Sequence, residues 1–225
     1  MRPILTLAFS VLALGSLAFT SEAQSRESQR QGQSQRRVEP AAQLPLHGHV
    51  SPVVIEAVLA ATAAVPGMDA AFLMAVASRE SGLNPRAQNR GSSAGGLFQF
   101  VDRTWGVAVN RHAERHGYVV RDALRMRHDP RLNAIMAAEM LRGERADLEA
   151  ALGRRVNSID LFMTHRWGAG GAVTFLRNSG PGSRAYQFIA NDLRQRHTRY
   201  AGVLALHAES RTGEFVQVSN PNPER

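Results

Sequence analysis

Residues 78–99 read S-R-E-S-G-L-N-P-R-A-Q-N-R-G-S-S-A-G-G-L-F-Q. The stretch begins as the end of a helix and continues as a loop. Asp69 is a helix cap, and Phe72, Leu73, Val76 and Ala77 form one apolar stripe at helical spacing. Gly82 is a stop signal at the usual C-terminal place. The spacing therefore predicts a helix from Asp69 to Ser81. Glu80 lies four residues beyond Val76 and eight beyond Phe72, so it continues the stripe and should face the core or a cleft in it. It also falls in the last turn, where the helix dipole opposes negative charge. Both effects favour the neutral acid, the form a general acid needs. A plainer reading pairs Glu80 with Arg79, Arg86 or Arg90 to stabilise the helix end. After Gly82, the Gly, Ser and Asn content from Asn84 to Gly96 predicts a loop.

Working outward, the same signals predict more helices and no run of strands. Ser51-Pro52 opens a helix through Val54, Val58 and Ala61, broken at Pro66-Gly67. Asp102 can cap a helix carrying Trp105, Val109 and His112 that stops at Gly117. Asp129-Pro130 opens a long helix to Leu152 before Gly153, and Ser158 can cap one reaching about Trp167. Gly168-Ala169-Gly170-Gly171 reads as a flexible joint, and Arg184 to Leu206 is again helical in pattern. No segment alternates with period two. The expected fold class is mainly α, with at most a small β element in the Gly-rich region.

The stretch from Ser78 resembles the signature of the soluble lytic transglycosylase (SLT) family, within the lysozyme-like superfamily. Glu80-Ser81 matches its catalytic pair. Asn84-Pro85 and Ala87 match the turn that follows. Ala94, Gly96, Leu97 and Gln99 match the second block, with Phe98 where Met is usual. The resemblance is firm from Ala71 to Trp105 and weaker to Leu176. It departs from the family in three places. The loop between Ala87 and Ala94 is slightly longer, Ser93 stands where Gly is common, and His165-Arg166-Trp167 stands near the place of the family's Ala-Tyr-Asn motif. The Tyr that usually supports the carboxylate is thus missing, leaving His165 or another side chain to replace it.

The resemblance implies a lysozyme-like helical domain that cleaves the bond between N-acetylmuramic acid and N-acetylglucosamine in peptidoglycan. Ordinary glycosidases use two carboxylates, and no convincing second one lies near Glu80 in sequence. A lytic transglycosylase needs only one. Its nucleophile is the muramoyl C6 hydroxyl, already part of the substrate, so no water must be positioned. By the same resemblance Glu80 is the catalytic acid/base, and Ser81 orients it or the substrate. Gln99 bonds a sugar, and Ser92, Ser93 and Gly96 border the cleft. Phe98, Trp105 and Trp167 are candidates for sugar stacking, and His165 for support of the site; Phe98, Trp105 and His165 serve equally well as core residues.

The remaining sequence bounds the setting. Arg2, the apolar run Ile4 to Phe19 and Ser21-Glu22-Ala23 form a secretory signal pattern over residues 1–23. Residues 24–47, rich in Gln, Ser and Arg, read as a disordered linker; 48–207 as the lysozyme-like domain; 208–225 as a flexible tail. The expected location is the periplasm or envelope of a Gram-negative-type bacterium, with no stable membrane span after signal cleavage. Cysteine is absent, which excludes disulfides, a thiolate metal site and a lipoprotein anchor. The formal net charge is +8, carried on the basic side by Arg alone, which suits an anionic wall polymer. The Arg clusters lack a nucleic-acid-binding pattern, so no nucleic acid is expected. His112, Glu114 and His116 are off-pattern for a metal site, so neither metal nor cofactor is expected. The expected partner is the glycan strand, with envelope machinery as a further candidate. Two competing readings stay open: a hydrolytic muramidase on the same fold, and a wall-binding or assembly module without catalysis.

Overall fold

The computed structural model describes residues 50–212, and the side chains of His165, Arg166 and Thr212 lie outside that description. The expected signal segment, the whole of the linker and tail residues 213–225 also lie outside it. Seven α-helices follow in order: α1 (Pro52–Ala64), α2 (Ala70–Ser81), α3 (Asp102–His112), α4 (Val120–Ala123), α5 (Pro130–Leu152), α6 (Ser158–Asn178) and α7 (Arg184–Thr212). A short 3-10 turn, Glu114–His116, separates α3 from α4. Among the described residues there is no strand. Two isolated antiparallel bridges, Gln88 with Gly95 and Gly95 with Phe100, are the whole of the β structure there. The fold is mainly α, as expected.

The caps explain most of the boundaries. Asp69 accepts a hydrogen bond from the Phe72 N–H at 2.5 Å and starts α2. Gly82 ends it in the left-handed region at φ 63°. Asp129 accepts from the Leu132 N–H at 2.8 Å, Pro130 occupies the first turn, and Gly153 closes α5 at φ 67°. Three local expectations are corrected. Asp102 is not the cap of α3 but its first residue, and the Ser93 hydroxyl accepts its N–H at 3.2 Å instead. The cap of α6 is Asn157 rather than Ser158. Asn157 and Asp160 form a capping box, each side chain accepting from the other's backbone N–H. The glycine-rich joint does not end α6: the helix kinks at Gly168, whose φ of 69° and ψ of 169° interrupt it, and resumes to Asn178. At the other end, α7 continues to Thr212, into the first residues of the expected tail.

Helix α5 is the centre of the packing. Its run from Leu132 to Leu141 is buried without a break, because α1, α3 and α6 all lie against it. Helix α2 is buried from Ala71 to Val76 and Ala77, and packs chiefly on α7. Fully burying a side chain such as Leu73 or Phe72 contributes about 2 kcal/mol, and Leu73→Ala would cost about 3 kcal/mol with the cavity it leaves. The α2 sequence thus holds a rigid apolar rod with its C-terminal turn at the edge of the core. That turn carries Glu80.

Candidate active site

Glu80 is half-buried in the last turn of α2, between the exposed Arg79 and the half-buried Ser81. Arg79 is committed elsewhere: it pairs with Asp192 of α7 at 2.5 Å and lies over the Phe162 ring of α6. Ser81 ties the helix end to the segment that follows. Its hydroxyl lies 2.8 Å from the Leu97 carbonyl and 3.1 Å from that of Ala77, and accepts the Asn84 N–H. The chain therefore leaves α2 at Gly82, loops through Asn89 and Ser92, and returns so that Leu97 meets the turn it left.

Backbone hydrogen bonds and close packing shape that loop. Gly96 donates to the Ala87 carbonyl, and Gly95 to that of Phe100. Gly96 has φ 82°, and a Cβ there would lie 2.5 Å from both the Arg127 carbonyl and the Asn133 Nδ2. Gln99 is also at positive φ, 52°, which costs a non-glycine residue about 1 kcal/mol. Its amide donates to the carbonyls of Gly96 at 2.8 Å and Ala87 at 3.3 Å. These bonds offset the strain and lock both arms of the loop together. Beneath them sits Asn133 of α5, wholly buried. It accepts from the Phe98 N–H at 2.8 Å and donates to the Arg127 carbonyl at 2.7 Å. Sequence reasoning missed Asn133, although an Asn inside the run Leu132–Met136 was a visible signal: a buried amide must find partners.

Several expected substrate contacts are corrected by burial. Phe98 is 1% exposed and Trp105 3%, so neither can stack on a sugar. Trp105 packs edge-on against Phe100 and donates its indole N–H to the Leu124 carbonyl at 2.9 Å. Gln99, 7% exposed, spends its amide inside the loop rather than on a ligand. Gly96 is buried under the loop instead of bordering open space. Ser92 and Ser93 remain at the surface or half-buried. The Ser92 hydroxyl accepts from the Ala94 N–H, while Ser93 caps α3. Trp167 is the one proposed stacking residue left accessible, 38% exposed and tilted against Phe175 at 4.5 Å between ring centres. His165 lies on α6, but its side chain falls outside the described residues.

Glu80 is the sole acidic residue between Ser78 and Val101. Asp102 pairs with Arg127, and Asp129 caps α5. A half-buried carboxyl on a rigid helix can exchange a proton with a bound polymer, and this segment supplies no second acid beside it. Residues 58–154 match the family model of the transglycosylase SLT domain. This segment belongs to the SLT domain family. It starts within α1 and ends just past α5, so it contains Glu80, the folded-back loop and Asn133. The SLT domain makes peptidoglycan the implied substrate and transglycosylase-type cleavage the implied chemistry.

A second cluster surrounds Glu139 of α5, which is 3% exposed. His116 lies 2.8 Å away, Arg142 2.5 Å and Arg115 3.3 Å. Burial pushes this carboxyl up, but the His116 hydrogen bond and the Arg142 and Arg115 charges outweigh it and hold it below its ordinary range. His112 stands 4.0 Å from Glu139 with its Nδ1 buried and unpartnered. Burial pushes that imidazole down, against the pull of Glu139. The two histidines set beside Glu114 in the sequence reading thus face Glu139, while Glu114 is exposed.

Proposed function

We propose that the protein is an exported lytic transglycosylase that cuts the β-1,4 bond between N-acetylmuramic acid and N-acetylglucosamine. Glu80 is its single acid/base. The observation that carries this reading is the pairing of Glu80, half-buried at the end of α2, with a loop whose return is pinned to the same turn by Ser81. Glu80 protonates the glycosidic oxygen, and the C1–O bond breaks with the saccharide leaving as an alcohol. The carboxylate left behind takes the proton of the muramoyl C6 hydroxyl as that oxygen bonds to C1. The product is a 1,6-anhydro sugar, and Glu80 ends the cycle protonated. No water is consumed. Trp167 offers an accessible ring face for a sugar.

The signal pattern in residues 1–23 supports export of this activity to the cell envelope, where peptidoglycan lies. No helix among the described residues is long and apolar enough to cross a membrane. The excess of Arg suits a wall polymer bearing carboxylates.

The test is digestion of purified peptidoglycan by the wild type and Glu80→Gln, with soluble products read by mass spectrometry. Anhydromuropeptides, one water lighter than hydrolysis products and absent with the variant, are expected. Reducing-end products would replace this reading with a muramidase. Wall binding without products from either protein would replace it with a binding module.

A further inference from the structure

The last turn of α2 is anchored on every side. Ser78 accepts hydrogen bonds from Arg196 at 2.9 Å and from the Tyr200 hydroxyl at 2.7 Å, both on α7. Arg79 pairs with Asp192 of α7, and Asp192 in turn holds the Arg196 Nε at 3.0 and 3.2 Å through its two oxygens. Ser81 is bonded to Leu97. Ser78, Arg79 and Ser81 are therefore each fixed to another part of the fold, and the residue among them is Glu80. Helix α7 lies wholly outside the segment that matches the SLT domain.

We propose that Asp192 and Arg196 are positioning residues for Glu80, resting on the reading of Glu80 as the acid/base. Arg196 is planar and carries its donors in a fixed fork. One edge engages Asp192 and another reaches Ser78, so the fork sets the rotation of the α2 turn. The carboxyl must meet a glycosidic oxygen and then a C6 hydroxyl, and small misplacements of a reacting group are costly in rate. Both side chains are about a third exposed, so their pairing contributes little to global stability. Their effect falls on geometry instead. The far end of α7 supplies an internal control: Arg211 and His207 both bind Glu56 of α1, tying the same helix to the core away from the Glu80 turn.

The experiment measures kcat and KM for release of anhydro products from soluble, uncrosslinked glycan strands. The proteins are wild type, Asp192→Asn, Arg196→Gln, Ser78→Ala and Arg211→Gln, each with its thermal midpoint. Asp192→Asn and Arg196→Gln should lower kcat on the order of tenfold and leave KM within about twofold. Ser78→Ala should fall in the same direction, and a double variant with Arg196→Gln should lose less than the product of the two single losses. Arg211→Gln should keep its kcat even if its midpoint drops as much. Unchanged kcat in the Asp192 and Arg196 variants, or a loss matched by Arg211→Gln at equal midpoint, would overturn the proposal. Absence of anhydro products from the wild type would overturn the transglycosylase reading beneath it.

Discussion

Glu80 and Glu139 look alike in the sequence and differ in the fold. Each continues an apolar helical stripe: Glu80 follows Phe72 and Val76, and Glu139 follows Leu132 and Ile135. Glu139 is in mid-helix and is enclosed, with His116, Arg115 and Arg142 gathered on it from the 3-10 turn and from its own helix. Glu80 is in a final turn, half-buried, where its neighbours Ser78, Arg79 and Ser81 are the residues held by the surrounding structure. One carboxylate is enclosed in the core, and the other is half-buried at a helix end on a fixed support. A carboxylate on an apolar stripe is thus a reason to look for chemistry and no proof of it. Burial and place in the helix decide.

The sharpest way to break this comparison is to remove each charge in turn. Glu80→Gln is expected to lower the rate of anhydro-product formation by about a thousandfold or more, with the thermal midpoint kept. Glu139→Gln should do the reverse. It leaves His116, Arg115 and Arg142 around a neutral amide, so denaturant unfolding should show a loss of about 3 kcal/mol. The surviving folded fraction should still yield the same products. If Glu139→Gln instead abolished cleavage in fully folded protein, the two carboxylates would have to be reassigned.

Gly96→Ala tests whether the loop beside Glu80 depends on backbone contact as the Glu139 region depends on charge. The added Cβ meets the Arg127 carbonyl and Asn133 at 2.5 Å, at a φ of 82°. A loss of about 2 kcal/mol by urea unfolding is expected, and cleavage should fall because the return at Leu97 shifts.

The smallest effect is in pH. Folded His112 takes up a proton less readily than its ordinary value of 6.5 implies, so the unfolded chain binds more protons as pH drops below that value. Its contribution to stability is therefore present above about pH 6.5 and lost on acidification below it. The surrounding Arg111, Arg115 and Arg142 act in the same direction and Glu139 opposes them. The Glu139 contribution is lost in a lower window, below its ordinary 4.5. Chemical denaturation from pH 7.5 to 5 should show falling stability in the wild type and a flatter profile in His112→Gln.

Much of the fold was legible. Asp69, Asp129-Pro130, Gly82 and Gly153 marked helix ends correctly because caps act within four residues of the chain. The cap of α6 was misread because the adjacent Asn157 and Ser158 compete for one geometry, and Asp102 because the cap position is Val101 and the hydroxyl that takes the first N–H, that of Ser93, lies nine residues back. The site was less legible. Phe98, Gln99, Gly96 and Trp105 had the right residue types for a cleft, yet they face inward. Asn133, which holds the loop, was passed over because its bond spans 35 residues, and Ser93 was read as bordering the cleft although its hydroxyl accepts the N–H of Asp102, 9 residues on.

By itself the sequence determined where most of the long helices start, that one carboxylate ends a buried helix, and which family pattern surrounds it. These are local facts, set by periodicity, caps and motif order. Only the tertiary structure decided which carboxylate is enclosed, which aromatics stay accessible, and that α7 holds the turn bearing Glu80. Those depend on groups more than a hundred residues apart, such as Ser78 and Arg196, meeting within 2.9 Å. Packing brings them together, and no local periodicity records it.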